Sequence, residues 1–397
     1  MTEAASRPRS GAGETGAIVF AFIIVSVLAV VLVATSPAPG SLDRLPDPPA
    51  GPDRIPAGPV ITAIPVGCGI SPATVGRLVT EPRMMKDGHR DGECMWSSGS
   101  DDGSRHHLSI ALTLTHGTAA LSPSGPATGR SPLAAAMKSF GPRWSDATTR
   151  AVTGLGDEAL VQFAPSAGVS VVARVGNATV SVQYRDARGS IPERTARDGA
   201  FAAAAEVVDR LGARTPSRPA IAPAPDPSPA RKIPDLCGSI SERTLNRLLG
   251  GEQTPGPSGT SGSGGLAIKD ADHRGCSRTS ADRELTVTAA VVPGTDLFDG
   301  PRLATREYTM RHDDARAEET LSVHDRKYFH AVTGLGDQAF AAHVPGVVPG
   351  VVVFRDGALL VQVNYEEADE RRPLSGEHAV RGAYAAAQEV AQALAVH

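Results

Sequence analysis

The seven residues AVTGLGD occur twice in this chain, at Ala151–Asp157 and again at Ala331–Asp337. Four more segments repeat in the same order: VGCGISPATVGRLV (66–79) matches DLCGSISERTLNRLL (235–249), ECMW (93–96) matches GCSR (275–278), VGNATVSVQYRDA (175–187) matches DGALLVQVNYEEA (356–368), and RDGAFAAAAEVVDRLG (197–212) matches VRGAYAAAQEVAQALA (380–395). Five matches in one order indicate a tandem duplication of a single domain. We therefore assign copy 1 to residues 62–213 and copy 2 to residues 235–397.

The residue pattern inside each copy predicts an α+β fold. Ser71 and Ser241 are predicted to cap a short first helix, because serine readily accepts a hydrogen bond from a free amide of the first turn. The stretches HLSIALTL (107–114) and ELTVTAAVV (284–292) alternate between polar and apolar residues, as strands with one buried face do. Two further helices are predicted in each copy, at 133–140 and 197–212 in copy 1 and at 303–317 and 380–395 in copy 2. We expect two small domains, each with a mostly antiparallel sheet packed by helices.

The AVTGLGD segment is predicted to lead into a strand and then into a β-hairpin. The hairpin turns are predicted at Gly176-Asn177 and at Asp356-Gly357, because these residue types tolerate positive φ. Alternating apolar residues after each turn, ending at Tyr184 in copy 1, are expected to face one side of the sheet.

The GLGD sequence shares glycines with phosphate-binding loops but lacks their other features. It does not complete the G-x-G-x-x-G spacing, it leads into a strand instead of a helix, and no Gly-Lys-Ser/Thr follows a glycine loop. We interpret it as a tight turn in which the aspartate binds nearby backbone amides. The structural residues of the two turns are Gly154, Gly156, Asp157, Gly334, Gly336 and Asp337.

Each copy contains one pair of cysteines, Cys68 with Cys94 and Cys237 with Cys276. Four cysteines allow three connectivities, and the duplication favours pairing within each copy. The loop-entropy model assigns about 3.5–4 kcal/mol to each such disulfide. A metal site is the alternative, but it is less favoured because the chain has no C-x-x-C and no histidine at ligand spacing in both copies.

The uncharged stretch GAIVFAFIIVSVLAVVLVAT (16–35) predicts a transmembrane helix. At 1.5 Å per residue it would span about 30 Å, the thickness of a bilayer core. The alternative is a cleaved secretory signal, but the apolar region of such signals is usually shorter, about 7–15 residues. All four cysteines follow this stretch, which favours an oxidising compartment for the chain beyond it. We expect a single-pass anchor in the cell membrane, with residues 1–15 in the cytoplasm and both copies extracytoplasmic.

Two proline-rich segments, 36–61 and 214–234, lack hydrophobic periodicity and are predicted to be linkers. The first is expected to act as an extended spacer that holds copy 1 away from the membrane. The segment GPSGTSGSGG (256–265) predicts a flexible insertion in copy 2.

Composition and motifs argue against several functional classes. With 39 basic and 43 acidic residues, the net charge of −4 disfavours nucleic-acid binding, which needs a basic face. The chain contains no P-loop, no H-E-x-x-H and no G-x-S-x-G, so we predict no catalytic residue, no cofactor and no metal. The histidines cluster loosely, at His106, His107 and His116 in copy 1 and at His312, His324 and His330 in copy 2. Their positions do not correspond between the copies, which favours structural or solvated roles.

The Cys-Gly opening, the second cysteine followed by Trp96 and the GLGDEA turn before a hairpin and a final helix resemble actinobacterial cell-envelope domains of unknown function, which are often lipoproteins. The resemblance covers both copies. Such domains are similar in element order to small α+β folds of the Mog1/PsbP type, and this implies ligand or protein binding without catalysis. This chain departs from the family because a helix replaces the lipid-modified cysteine and because copy 2 has Arg278 in place of the tryptophan.

Three functions remain open at this point. The first is a membrane-anchored extracytoplasmic binding or accessory protein that engages an envelope protein or a small ligand. The second is a regulatory subunit that pairs laterally with another membrane protein, although the apolar stretch has no small-xxx-small motif to support such pairing. The third, an envelope hydrolase, is the least favoured.

Overall fold

The structure of the chain is a computed structural model. It describes residues 45–53, 59–85, 92–99, 106–117, 119–120, 128–129, 131–140, 149–164, 168–186, 191–213, 218–226, 232–250, 252–255, 266, 268, 270–321, 328–344, 348–367 and 374–395. Within these ranges no helix has the length and apolarity needed to cross a membrane. The predicted anchor at 16–35 and the predicted flexible insertion at 256–265 both lie outside them.

Copy 1 is built on an eight-stranded sheet in which all neighbouring strands are antiparallel. Its strands and a separate two-stranded ribbon are β1 Pro82–Met84, β2 Glu93–Ser98, β3 His106–Leu114, β4 Ala119–Ala120, β5 Thr128–Gly129, β6 Thr149–Thr153, β7 Glu158–Ala164, β8 Gly168–Val175, β9 Ala178–Asp186 and β10 Ala220–Ile221. The order across the sheet is β1-β2-β3-β9-β8-β7-β6-β10, and β4 pairs with β5.

Copy 2 repeats this arrangement in a seven-stranded antiparallel sheet. Its strands are β11 Thr254–Pro255, β12 Asp272–Thr279, β13 Arg283–Val291, β14 Tyr328–Val332, β15 Gln338–Val344, β16 Val348–Asp356 and β17 Leu359–Glu367. The order β12-β13-β17-β16-β15-β14 follows the order β2-β3-β9-β8-β7-β6 of copy 1. The prediction of an α+β fold with antiparallel sheets is confirmed.

Helices cover the sheets. They are α1 Pro72–Leu78, α2 Pro132–Phe140 and α3 Glu193–Arg210 in copy 1, and α4 Glu242–Leu249, α5 Gly300–Leu321 and α6 Gly376–Ala395 in copy 2. The final helix of each copy, α3 or α6, lies across the central strands, and the apolar residues between helix and sheet form the main core of that copy. Burial of these alternating strand residues against the helix is the main stabilising term of each domain.

The predicted N-caps are present. The side chains of Ser71 and Ser241 each accept a hydrogen bond from the backbone amide three residues later, at 3.2 Å in both copies. The final helix adds a second contact that the sequence did not predict. Glu206 accepts from the amide of Ser71 at 2.8 Å, and Glu389 accepts from the amide of Ser241 at 2.6 Å. The first and last helices of each copy are therefore joined by the same carboxylate contact.

The two predicted disulfides are present. Cys68 is joined to Cys94, and Cys237 is joined to Cys276. Each ties the loop before the first helix to a strand of the sheet, because Cys94 lies in β2 and Cys276 lies in β12. With all four thiols used in disulfides, no cysteine is free to bind a metal.

The predicted hairpin turns need two corrections. In copy 2 the turn lies at Gly357-Ala358, one residue later than predicted, because Asp356 is the last residue of β16. In both copies only the glycine has positive φ, 55° at Gly176 and 58° at Gly357. Asn177 is buried and uses its side-chain amide to bind the backbone of Ile61 and Thr115.

Both predicted linkers, 36–61 and 214–234, contain short segments that pair with the sheets. Residues 49–53, which we call the strap, lie along the outer edge of β14 in copy 2, where Ala50 forms an antiparallel bridge with Val332. In copy 1 the second linker supplies β10, which pairs with the equivalent edge strand β6. The first linker, which precedes copy 1, therefore pairs with copy 2, and the second linker, which precedes copy 2, pairs with copy 1. Edge strands leave unpaired backbone groups, and these segments supply partners for them.

Helix α5 joins the two copies. Tyr308 and Ala315 of this helix pack on the second face of the copy 2 sheet. Its first turn, with Leu303 and Ala304, packs with Phe140 of α2 and with residues on the second face of the copy 1 sheet. Copy 1 thus completes its packing with a segment of copy 2.

Candidate functional site

The repeated GLGD turn has the same backbone in both copies. The φ angles are 73° and 62° at Gly154 and Gly156, and 84° and 52° at Gly334 and Gly336. These values lie in the left-handed region that favours glycine. A Cβ atom at Gly336 would also meet the carbonyl oxygen of Arg355, so glycine is required there by space as well.

The aspartate of each turn binds a backbone amide, but that amide lies in the hairpin turn and not in the GLGD turn itself. Asp157 accepts from the amide of Gly176 at 2.7 Å, and Asp337 accepts from that of Gly357 at 3.0 Å. Each aspartate therefore fixes the end of the hairpin to the GLGD turn. The sequence predicted an amide close to each aspartate in the chain, whereas the amide that it binds lies 19 residues further along in copy 1 and 20 in copy 2.

An arginine completes each turn, and sequence reasoning missed it. Arg174 pairs with Asp157 at 3.0 Å and donates to the carbonyl of Gly176 at 2.9 Å. Arg355 makes the same two contacts with Asp337 and Gly357, at 3.0 and 2.8 Å. The signal was available, because both arginines stand two residues before the hairpin glycine.

The two turns differ at the residue that follows the aspartate. Glu158 in copy 1 lies 3.2 Å from Arg174 and 3.2 Å from Arg306 of helix α5. Gln338 in copy 2 accepts a hydrogen bond from Arg355 at 3.1 Å. The negative charge of Glu158, which Gln338 lacks, therefore pairs with Arg306 of copy 2.

A cavity of about 120 Å³ lies beside the GLGD turn of copy 2. Its walls come from the strap, helix α5 and the turn itself: Pro52, Asp53, Tyr308, His312 and residues 331–339. A water molecule occupies about 30 Å³ of liquid, so this volume corresponds to about four waters or one small organic group. Wider surface depressions of about 410 and 500 Å³ lie elsewhere on copy 1.

His312 is the central polar side chain of the cavity. It is only 1 % exposed, and its ring packs edge-on against Phe329 and Phe340 at 5.1 and 5.6 Å between ring centres. Its Nε2 lies 3.3 Å from Oδ1 of Asp53 in the strap, and its Nδ1 lies 3.4 Å from Asp313. The other oxygen of Asp53 pairs with Arg316, one turn further along α5. The strap carboxylate is thus held between the imidazole of His312 and the guanidinium of Arg316.

The remaining walls provide further polar groups. Burial raises the pKa of Tyr308, so its hydroxyl stays protonated at any physiological pH. The backbone amides of Gly334, Leu335 and Gly336 make no hydrogen bond to the part of the chain that the structure describes. Amides that lie together in a turn can bind the oxygen atoms of a ligand.

The other predicted histidines do not join this cavity. His330 lies in β14, where Nε2 contacts the hydroxyl of Tyr328 at 3.0 Å. His106 lies in β3 of copy 1, far along the sheet order from the GLGD turn. His324 lies outside the described residues. Within the described ranges no three histidine, cysteine, aspartate or glutamate residues come together as metal ligands would.

Comparisons with protein-family models, with curated proteins and with solved structures found no match.

Proposed function

We propose that the protein is a membrane-anchored, extracytoplasmic binding protein, and that its ligand site is the cavity of copy 2 between the strap, helix α5 and the GLGD turn. The observation that carries this proposal is the cavity itself, which has space for a small polar group and is lined by a buried histidine, by Tyr308 and by the GLGD turn. Polar groups that line a concave site are typical of ligand binding.

The extracytoplasmic location is supported by the two disulfides and by the sequence prediction of an anchor at 16–35. Disulfides persist in oxidising compartments and are rare in the cytoplasm. The resemblance to actinobacterial envelope domains supports the same location. A binding role also fits the arrangement at His312, since its ring contacts two carboxylates and aromatic rings but the described residues place no serine or cysteine nucleophile beside it.

Methyl-resolved NMR of the full chain in detergent tests the site. Acetate, acetamide and glycerol serve as probes, because each fits the cavity. We expect shifts confined to the methyl groups of Ala331, Val332, Leu335 and Ala339, which line it. The equivalent methyl groups of copy 1, at Ala151, Val152, Leu155 and Ala159, are the matched internal control. The proposal is contradicted if no probe shifts the copy 2 signals, or if both sets shift equally.

Thiol labelling of intact cells tests the orientation. Asp226→Cys places a thiol on an exposed position of the second linker, and Ser6→Cys places one before the predicted anchor. A maleimide that does not cross membranes should label the first variant in intact cells and the second only after the cells are permeabilised. The opposite pattern would reverse the proposed topology.

A further inference from the structure

The strap binds copy 2 as an added strand would. The amide of Gly51 donates to the carbonyl of Ala331 at 2.9 Å, and the amide of Thr333 donates to the carbonyl of Pro49 at 3.1 Å. This is the backbone pattern by which extended peptides add to an exposed sheet edge. Prolines lie on both sides of Ala50 and Gly51, and they favour the extended conformation that such pairing needs; they are Pro48, Pro49 and Pro52.

Acidic side chains at both ends of the strap region contact basic or imidazole side chains of copy 2. Asp53 lies between His312 and Arg316 at the cavity, and Asp47, just before the strap, pairs with Arg381 of α6 at 2.5 Å. Backbone pairing between two acidic anchor points gives affinity and a sequence preference at the same time.

The equivalent edge of copy 1 also pairs with a linker, through backbone hydrogen bonds and through the hydroxyl of Thr153, which donates to the carbonyl of Ala220 as that of Thr333 does to the carbonyl of Pro49. There the linker residue that pairs with the final helix is basic, Arg218 with Asp198. The amide of Ala222 donates to the carbonyl of Ala151 at 2.8 Å, which is the equivalent of the contact from Gly51 to Ala331. Helix α2 ends at Phe140 and is much shorter than α5. Copy 1 therefore keeps the edge pairing, whereas copy 2 adds the histidine and arginine that select an acidic residue.

We propose that the outer edge of β14, together with His312 and Arg316, is a binding site for an extended, proline-containing acidic peptide of a partner protein, and that the strap occupies this site within the chain. This inference rests on the proposed binding function and names its partner class. The strap is the bound peptide of the resting state, and a partner segment with the same chemistry displaces it.

Displacement of the strap requires breaking its two backbone hydrogen bonds at β14 and the side-chain contacts of Asp47 and Asp53. Pro52 and Asp53 are exposed, and the strap is bridged to the last residue of β14, where Ala50 pairs with Val332. A site that is occupied for most of the time binds an external peptide more weakly, in proportion to the fraction of open molecules. Opening the strap should therefore raise the apparent affinity for a competing peptide.

The test measures binding of a fluorescein-labelled peptide with the strap sequence, LPDPPAGPD, to the full chain in detergent by fluorescence anisotropy. Gly51→Ala is expected to weaken the strap pairing, because a Cβ atom at Gly51 would meet the Cγ2 methyl group of Thr333. We expect this variant to bind the peptide about ten-fold more tightly than the unmodified chain. Adding Thr333→Ser removes that methyl group and should return the affinity to the starting value.

Two matched controls separate strap opening from other effects. Gly76→Ala adds the same methyl group in open space on α1 and should leave peptide binding unchanged. Arg316→Gln in the Gly51→Ala background should lose most of the gained affinity, as should a peptide whose last aspartate is replaced by asparagine. Hydrogen exchange at Gly51 and Thr333 reports directly whether the strap has opened.

The inference is overturned if exchange shows an open strap while the peptide binds no more tightly, or if Arg316→Gln and the asparagine peptide have no effect. It is also overturned in favour of a second copy of this chain if the Gly51→Ala protein forms dimers by strap exchange and does not bind the peptide. In each of these cases the methyl shifts produced by acetate, acetamide and glycerol still report separately on the cavity.

Discussion

Tyr184 and Tyr365 occupy equivalent positions and make the same hydrogen bond. The hydroxyl of Tyr184 donates to the carbonyl of Leu78 at 2.8 Å, and that of Tyr365 donates to the carbonyl of Leu248 at 2.6 Å. These carbonyls lie at the ends of α1 and α4, where helix geometry leaves them without a backbone donor. The carbonyl of Leu248 also accepts from Arg283 at 2.7 Å.

Removing each hydroxyl should therefore have unequal effects. Tyr184→Phe leaves the Leu78 carbonyl without its side-chain donor, and we expect it to lower the free energy of unfolding by about 1–3 kcal/mol. Tyr365→Phe leaves Arg283 in place and should cost about 0.5–1.5 kcal/mol. Urea denaturation of the full chain measures both, and equal losses would show that Arg283 does not compensate.

His343 makes stability depend on pH. Burial lowers its pKa from the ordinary value of 6.5, although nearby backbone groups of Pro349 and Val348 oppose the shift. Below pH 6.5 the unfolded chain takes up a proton that the folded chain does not, so the free energy of unfolding falls as the pH falls. The slope from one such group is at most about 1.4 kcal/mol per pH unit.

We expect His343→Leu to reduce this slope between about pH 5 and pH 7, as measured by urea denaturation at several pH values. The slope should not vanish, because burial also lowers the pKa of His330. An unchanged slope would mean that His343 does not keep its low pKa in solution.

Predictions for single residues succeeded where the partner lies close in sequence or where the same residues recur in both copies. Ser71 caps a helix that begins at the next residue, and the cysteine pairs follow from the duplication. Glu206 and Arg174 were missed because their partners are distant in the chain, and a single sequence does not show which distant residues meet. His312 was noticed only as one of several histidines, because Asp53 reaches it from the far end of the chain.

Helix α5 carries the main polar contact between the copies. Arg306 lies 3.2 Å from Glu158 and 3.4 Å from Glu307, and it also donates to the carbonyl of Met137 in α2. Burial lowers the pKa of Arg306 and raises that of Glu307, although their opposite charges counteract both shifts. A buried charge that loses its partner is strongly destabilising.

Arg306→Gln should therefore lower the free energy of unfolding by about 3–5 kcal/mol. Arg302 on the same helix is exposed and lies over the ring of Phe298 at 4.4 Å. Arg302→Gln is the matched control and should cost less than about 1 kcal/mol. Thermal or urea unfolding distinguishes the two, and similar losses would show that the contact with Glu158 adds nothing.

At the scale of elements, periodicity predicted the strands and helices, whereas the pairing of linker segments with the sheets was not predicted. Helix α5 was predicted at 303–317 and runs from Gly300 to Leu321, so the pattern located it and missed its ends. The strap and β10 are too short to show alternation, and their pairing depends on an edge strand that the linker sequence does not encode. Such segments are assigned by their tertiary contacts.

The arrangement of the copies predicts that they unfold together. Both tryptophans of the chain fall within the sequence of copy 1, and Trp96 is buried in the core of that copy, so its fluorescence reports on copy 1. Because α5 packs against both sheets, loss of structure in copy 2 removes part of the packing of copy 1. We therefore expect the two copies to unfold in one cooperative transition.

Replacing Cys237 and Cys276 by alanine tests this coupling. Loss of a disulfide that closes this loop is expected to cost about 4 kcal/mol in copy 2. If the copies are coupled, the tryptophan transition of copy 1 should move to lower urea concentration even though the change lies in copy 2. An unmoved tryptophan transition, with a shifted far-UV circular dichroism curve, would show independent copies.

The tandem organisation was predictable, and the contacts between the copies were not. Repeated motifs identify what the copies share, including the turn glycines and the cysteines. The contact of Arg306 with Glu158 involves a position that differs between the copies, because Glu158 of copy 1 aligns with Gln338 of copy 2. Comparison of the repeats therefore shows the difference but not the contact.

The pairing of the strap with copy 2 also determines how a pulling force passes through the molecule. The strap is paired with β14 of copy 2 before the chain enters copy 1 at residue 59. A pull on the N-terminus is therefore transmitted first to the edge of copy 2 and reaches copy 1 only after the strap has detached. The order in which the two copies feel a mechanical load is the reverse of their order in the sequence.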